Sequence, residues 1–146
     1  MYISDDLLRR IHAHGEAAYP DEGAGFLLGI VNGDERFVSA ILPLENAREA
    51  GARRNRYLLT PQDFLRAEQE AARLGLDLLG VFHSHPDHPS QPSEFDREWA
   101  LPWFSYLISS VQAGQTAGSR CWRLVEDRSG FYEEPILIDR RVIGHR

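Results

Sequence analysis

The sequence predicts an α/β fold in which a mixed, mostly antiparallel β-sheet is flanked by helices. Two segments carry apolar side chains at helical spacing, and they alternate with short apolar segments of strand length. Turn residues such as Asn32-Gly33-Asp34 separate neighbouring strands. The 146 residues, of which 42% are hydrophobic and 26% charged, fit one globular domain that spans residues 1–146.

Capping residues mark the helix boundaries. Ser4 is a typical N-cap for a first helix that ends before Pro20. Thr60 caps a second helix, which Gly75 stops, and Ser93 begins a short third helix. The apolar stripes of the two long helices comprise Leu7, Leu8, Ile11 and Ala18, and then Phe64, Ala67, Ala71 and Leu74.

Apolar and β-branched segments predict the strands. Residues 76–82 form the central strand, because they are apolar apart from Asp77, as expected for a strand buried on both faces. Loops are predicted at 43–55, 84–92 and 112–118, and residues 139–146 form a loose tail. The predicted strands are 25–31, 36–42, 56–59, 76–82, 104–111, 120–126 and 131–138.

The most informative segment is His83-Ser84-His85-Pro86, at the end of the central strand. Two histidines separated by one residue leave an extended chain on the same face. Asp96 follows in the first turn of the short helix, three residues after Ser93, so that the two share a helical face. Two imidazoles and a carboxylate are typical ligands of catalytic zinc, with water in the fourth position. The pattern predicts a zinc hydrolase that binds one Zn²⁺ through His83, His85 and Asp96.

Each of these residues also has an ordinary structural explanation. A histidine at a strand end is more often hydrogen-bonded at the surface than bound to a metal. Asp96 stabilises a helix start through the helix dipole, and Ser93 is a common N-cap. These explanations are independent of one another, so jointly they account poorly for four such residues at this spacing. The metal-site interpretation is therefore preferred.

The same residues resemble the JAMM motif of the MPN-domain metalloproteases, in which two histidines are followed by a serine and an aspartate. The family motif adds a glutamate far upstream, near the start of a strand, and Glu22 in Glu22-Gly23-Ala24-Gly25 fills that position. The resemblance extends over nearly the whole chain. It implies a single MPN-like domain, with a cytidine-deaminase-like fold, of the short bacterial branch of the family.

The resemblance also implies a mechanism and a partner. Zinc held by the three ligands lowers the pKa of a bound water to about 7. Glu22 acts as general base and then as general acid, and Ser93 donates a hydrogen bond to the oxyanion. Short bacterial relatives act on the C-terminus of ubiquitin-like sulfur-carrier proteins, and some release an amino acid, notably cysteine. Without the downstream motif, Glu22 would be interpreted as a solvated loop carboxylate.

A basic cluster lies before the second helix, and its favoured interpretation is a charged, solvated loop. The alternative is that Arg53, Arg54 and Arg56, with Arg48 nearby, bind a substrate carboxylate. The segment 43–56 is also a candidate to dock an extended C-terminal tail by strand addition.

Several other residues are excluded from the predicted site. Asp87 and His88 are expected to be solvated loop positions or substrate contacts. Trp99 and Trp103 are expected to pack in the core or at an edge, and Cys121 to be a buried strand thiol.

Composition excludes or disfavours several function classes. The net charge of −6 argues against a nucleic-acid partner, including a DNA-repair role. A single cysteine excludes the cysteine pair of a zinc deaminase and, with no signal peptide evident, predicts a cytoplasmic location. No apolar run is long enough to span a membrane. The alternatives that stay open are a non-catalytic MPN scaffold, disfavoured because all ligands are present, and a JAMM peptidase with another substrate.

Overall fold

The computed structural model describes residues 1–45 and 59–140. Within them the chain forms three helices, α1 (Asp5–Ala18), α2 (Pro61–Leu74) and α3 (Glu94–Trp99). The strands are β1 (Tyr2–Ile3), β2 (Ala24–Asn32), β3 (Glu35–Leu44), β4 (Asp77–Pro86), β5 (Ser105–Gln112), β6 (Gln115–Leu124), β7 (Phe131–Glu134) and β8 (Leu137–Ile138).

The strands form one sheet in the order β7-β6-β5-β4-β2-β3-β1-β8. Strand β1 is parallel to both β3 and β8, and β4 is parallel to β5, whereas the other four pairings are antiparallel. Strands β7 and β8 lie at opposite ends of this order, yet only Pro135 and Ile136 connect them. Such a connection spans at most about 11 Å. The sheet therefore curves back on itself until its two end strands lie close together, and the predicted mixed sheet is confirmed.

Each face of the sheet packs against one of the long helices. The face covered by α2 carries Phe26, Val81, Tyr106 and Leu124. The face covered by α1 carries Leu27, Phe82, Leu107 and Cys121. Because Val81 and Phe82 point to opposite faces, His83 and His85 continue the α2 face, and Ser84 continues the α1 face.

The predicted helix boundaries are confirmed. The Ser4 side chain accepts a hydrogen bond from the Leu7 backbone N–H, and Thr60 and Asp63 form a reciprocal capping box. Gly75 ends α2 in the left-handed region, with a φ of 70°. Glycine adopts this conformation readily because it has no Cβ to clash with the backbone. None of the helices in the described ranges has both the length and the apolar character that a membrane crossing requires.

Three predicted boundaries are wrong. Strand β4 continues to Pro86, because β5 pairs with it through that residue, so residues 84–86 belong to the strand and not to the predicted loop 84–92. The predicted loop 112–118 is a tight turn at Ala113 and Gly114, both with positive φ, and β6 begins at Gln115. The predicted strand 131–138 is broken at Pro135 into β7 and β8, which pair with different strands.

The predicted tail is wrong in part, and the structure distinguishes between the two placements expected for the tryptophans, core or edge. Asp139 is buried, and its backbone N–H donates to the Ile3 carbonyl, so the predicted tail 139–146 begins as ordered structure. Residues 141–146 lie outside the described ranges. The side chains of Trp99 and Trp103 are 61% and 54% exposed and do not form part of the core. Strand β1 was not predicted, because a strand of two residues is too short to show an alternation of apolar and polar side chains.

Candidate metal centre

Strand β4 and helix α3 bring together the three predicted ligands. His83 and His85 extend from the same face of β4, and Asp96 lies in the first turn of α3. One ligand atom from each of the three residues lies within 4.8 Å of the others. All three side chains are buried, with exposed fractions of 1%, 6% and 6%. Buried ionisable side chains are rare unless they are paired or bind a metal.

The spacing of these atoms fits a tetrahedral zinc ion. His85 Nε2 lies 3.2 Å from Asp96 Oδ2, and His83 Nε2 lies 3.6 Å from Asp96 Oδ1. Zinc bonds of about 2.0–2.1 Å at tetrahedral angles place neighbouring ligand atoms about 3.3 Å apart. Two imidazole nitrogens and one carboxylate oxygen are also the donor types that catalytic zinc accepts. His83, His85 and Asp96 can therefore hold zinc without rearrangement of the backbone.

Hydrogen bonds outside the ligand atoms fix the orientation of two ligands. His85 Nδ1 lies 2.9 Å from the Pro89 carbonyl oxygen, which selects the tautomer that leaves Nε2 for a metal. The Ser93 backbone N–H donates to Asp96 Oδ2 at 2.8 Å. Such partners raise metal affinity because the ligand does not have to be ordered on binding.

The surroundings set protonation states that suit metal binding. Burial lowers the pKa of His83 to about 4, against the opposing charge of Asp96. Burial also disfavours charge on His85. The hydrogen bond that its ring donates to Asp96, together with the negative charge of that carboxylate, outweighs burial, and the pKa of His85 is raised. Burial opposes ionisation of Asp96 as well, yet the adjacent histidines and the Ser93 N–H hold its pKa well below the usual range. At pH 7, His83 is neutral and Asp96 is ionised, as a metal requires.

Long-range contacts that the sequence pattern did not reveal hold both the segment between β4 and α3 and the end of α3. Ser110 Oγ donates to the His88 carbonyl at 2.6 Å, and Trp122 Nε1 donates to the Ser90 carbonyl at 2.9 Å. The Arg128 guanidinium donates to three carbonyls at the end of α3, those of Arg97, Glu98 and Ala100. These donors come from β5, β6 and the turn after β6, so no local pattern could have identified them.

Asp87 is not a freely solvated loop residue. Its Oδ2 accepts a hydrogen bond from the Tyr19 hydroxyl at 2.6 Å, and its Oδ1 accepts one from the Ala113 N–H at 2.9 Å. Its φ of 59° places it in the left-handed region. Asp87 therefore joins three loops beside the metal centre, a role that the sequence did not indicate.

Ser93 is hydrogen-bonded to the ligand Asp96, and Glu22 is close enough to His85 to influence its pKa. Glu22 is half-buried in the loop between α1 and β2, and its charge is among those that raise the pKa of His85. The Ser93 hydroxyl oxygen accepts a hydrogen bond from the Asp96 N–H at 3.1 Å, so the N-cap interpretation is confirmed. Arg53, Arg54 and Arg56 belong to residues 46–58, which lie outside the described ranges.

Comparison with known proteins identifies relatives over most of the chain. A family model described as prokaryotic homologues of the JAB domain matches residues 4–125. A probable TtuB-protein conjugate cleaving protease from Thermus thermophilus is 32% identical over 77% of this chain and 74% of its own length. A desampylase from Haloferax volcanii is 33% identical over 77% of this chain and 79% of its own length.

Solved structures of the same fold also match most of the chain. The solution structure of a Salinibacter ruber protein is 43% identical, covers 97% of this chain and 93% of its own, and superposes with a TM-score of 0.76. A JAB1/MPN-domain protein from Archaeoglobus fulgidus has a TM-score of 0.61 at 20% identity, over 94% of this chain and 98% of its own, which shows a shared fold. The chain belongs to the prokaryotic homologues of the JAB domain.

Proposed function

We propose that this protein hydrolyses an amide bond at the C-terminus of a small ubiquitin-like protein of the sulfur-carrier type. The enzyme is a zinc metalloprotease of the JAMM type. The observation that carries the assignment is the buried His83, His85 and Asp96 cluster, whose atoms already lie at the spacing of zinc ligands. Two relatives at more than 30% identity are named for conjugate cleavage and for desampylation, which supports a protein conjugate as substrate.

The metal and the residues around the cluster have different roles in the proposed hydrolysis. Zinc bound here supplies Lewis-acid polarisation of the reacting oxygen. Glu22 accepts a proton from the attacking water and passes it to the leaving amine, as general base and then general acid. The Ser93 hydroxyl uses a lone pair to cap α3, and its proton stabilises the oxyanion. Both roles are proposals that rest on proximity to the ligands.

The end of β3 supports docking of an extended tail. Leu44 and His83 both pair with Ala24 of β2, so the end of β3 lies two strands from the first ligand. Among the described residues, β1 pairs with β3 at Phe37. Within residues 1–45 and 59–140, β2 is the strand that pairs with β3 beyond Phe37, and we propose that the substrate tail adds along the other edge of this part of β3. A flexible tail of small residues reaches the metal centre along such a path more easily than a folded segment does.

The released group is proposed to be an amino acid, notably cysteine, or a conjugated protein, and the reaction is placed in the cytoplasm. Cys121 is buried and forms no disulfide, which is compatible with that compartment. Arg53, Arg54 and Arg56 are kept as proposed contacts to a substrate carboxylate.

The test compares carrier adducts with ordinary peptides. Carriers extended at the C-terminus by different amino acids, and one carrier joined to a lysine side chain, are incubated with zinc-loaded protein and read by intact mass. We expect cleavage after the carrier's own C-terminal residue, abolished in Asp96→Ala. Equal cleavage of unstructured peptides would contradict the carrier proposal and leave the metalloprotease assignment unchanged. No cleavage of any adduct by the zinc-loaded protein would also contradict the carrier proposal and would favour a JAMM peptidase with another substrate.

A further inference from the structure

We propose that Ser84, the residue between the two histidine ligands, is a positioning residue that fixes Glu22 relative to the metal centre. This inference rests on the proposed role of Glu22 as the base. Ser84 points to the face of β4 opposite the ligands, so it cannot contact metal or substrate. Its contacts instead lead to Gly23, the residue directly after Glu22.

Two hydrogen bonds join Ser84 to Gly23. The Ser84 backbone N–H donates to the Gly23 carbonyl at 3.0 Å, and the Gly23 N–H donates to Ser84 Oγ at 2.9 Å. The pairing of β2 with β4 runs only as far as Ala24 and His83, so these bonds lie just beyond the regular ladder. The serine hydroxyl takes a bond that a backbone carbonyl would accept in a continued antiparallel pair. The chain therefore leaves the strand at Gly23, and Glu22 is the next residue outward, two positions from Ala24, which pairs with the ligand His83.

The pair of hydrogen bonds between Ser84 and Gly23, called the clamp below, is buried. Ser84 is 2% exposed, and Gly23 is also buried. Helix α1 covers it at Gly15, where an added Cβ would lie 3.0 Å from the Ser84 Cβ. A buried N–H that loses its acceptor cannot be satisfied by solvent, so loss of the Ser84 hydroxyl must move or loosen Gly23.

A second anchor holds the other end of the same loop. The Tyr19 hydroxyl donates to Asp87, which follows His85 and Pro86 at the end of β4. Residues 19–23 are thus tied to the ligand-bearing segment on both sides of His85. The hydrogen bond between Tyr19 and Asp87 is exposed, so water competes with it. We therefore expect it to contribute less to the position of Glu22 than the Ser84–Gly23 hydrogen bonds do.

Ser109 provides a matched control. It is a buried serine, 1% exposed, that pairs with Ser84 on the neighbouring strand β5. Its hydroxyl bonds to that of Ser119 at 2.8 Å and not to the Glu22 loop. Ser109→Ala and Ser84→Ala therefore remove the same group from the same layer, and only Ser84→Ala releases Gly23.

The experiment measures kcat, KM, zinc content, melting temperature and amide hydrogen exchange for both variants. A displacement of the base by about 1 Å can cost up to roughly 100-fold in rate. We expect Ser84→Ala to lower kcat at least tenfold with KM and zinc content unchanged, and to accelerate exchange in residues 19–24. Ser84→Thr, which keeps the acceptor, should recover most of the rate. Ser109→Ala should retain wild-type kcat, and Tyr19→Phe should lose less than Ser84→Ala.

A double-mutant cycle that combines Ser84→Ala with Glu22→Gln tests whether Ser84 affects turnover through Glu22. If Ser84 acts through Glu22, the double variant turns over no more slowly than Glu22→Gln alone. The proposal is overturned if Ser84→Ala loses no more rate than Ser109→Ala, if the lost rate follows lost zinc, or if exchange in residues 19–24 is unchanged. If wild-type protein cleaves no carrier adduct, the proposed function fails, and hydrogen exchange in the metal-free and zinc-loaded proteins still tests the clamp.

Discussion

Replacement of Ser93 tests whether its hydroxyl serves catalysis or only the helix. The residue caps α3 by accepting from the Asp96 N–H, and its own backbone N–H donates to Asp96 Oδ2. Ser93→Ala removes the first of these hydrogen bonds but keeps the second, because the second uses the backbone. Asp96 should therefore remain in place, and the variant should retain zinc.

The two proposed roles predict losses of different size. Loss of an N-cap typically costs about 1 kcal/mol of stability, which lowers the melting temperature of a domain of this size by a few degrees. Loss of an oxyanion donor typically costs about 2.7–4 kcal/mol of barrier, or roughly 100- to 1,000-fold in kcat. We therefore expect a small fall in melting temperature and a large fall in turnover.

Two further variants separate the roles. Aspartate caps a helix as well as serine does but has no proton to donate when ionised, whereas threonine keeps both functions. Ser93→Asp should restore the melting temperature and leave turnover low, and Ser93→Thr should restore both. The assay is kcat on a carrier adduct, with zinc content and thermal unfolding measured on the same samples. Recovery of turnover in Ser93→Asp, or more than a tenth of wild-type kcat in Ser93→Ala, would refute the oxyanion role.

Three other outcomes are expected. His83→Ala and Asp96→Ala should purify without zinc, as measured by elemental analysis, whereas stoichiometric zinc in either variant would remove that residue from the ligand set. Glu22→Gln should keep zinc and melting temperature but lose at least 100-fold in kcat, because an amide cannot accept the water's proton; a wild-type rate would exclude it as the base. Zinc affinity should fall as the pH is lowered through the raised pKa of His85, because protons then compete for Nε2, while His83, with a pKa of about 4, stays neutral. A chelator competition between pH 8 and pH 6 measures this dependence, and a constant affinity would contradict it.

The ligand set could be predicted because its geometry is local. His83 and His85 alternate along one strand, and Ser93 and Asp96 lie within one helical turn, so their spacing carries the information. The two long helices were predictable for the same reason, since Ser4 and Thr60 cap them through nearby backbone groups.

The supporting contacts could not be predicted because they join distant parts of the chain. Ser84 appears in the sequence only as the residue between two histidines, and nothing local shows that it bonds to Gly23, 61 positions away. The end of β4 was missed because a proline normally ends a strand, but here β5 pairs with β4 through Pro86. The sequence could not distinguish a core from an edge position for Trp99 and Trp103, because the contacts that decide their exposure are not local.

The curvature of the sheet has a consequence for folding kinetics. The Leu137 N–H donates to the Met1 carbonyl and the Asp139 N–H to that of Ile3, so β8 joins β1 from the other end of the described chain. Closure of so long a loop is entropically costly until the strands between them are ordered. The hairpins β2–β3 and β5–β6, whose partners are neighbours in sequence, can form early, and the β1–β8 pair forms late. The loop that carries Glu22 is held at the β2–β4 pair through Gly23 and Ser84, so we expect Glu22 and the histidine ligands to come together before the β1–β8 pair closes the sheet.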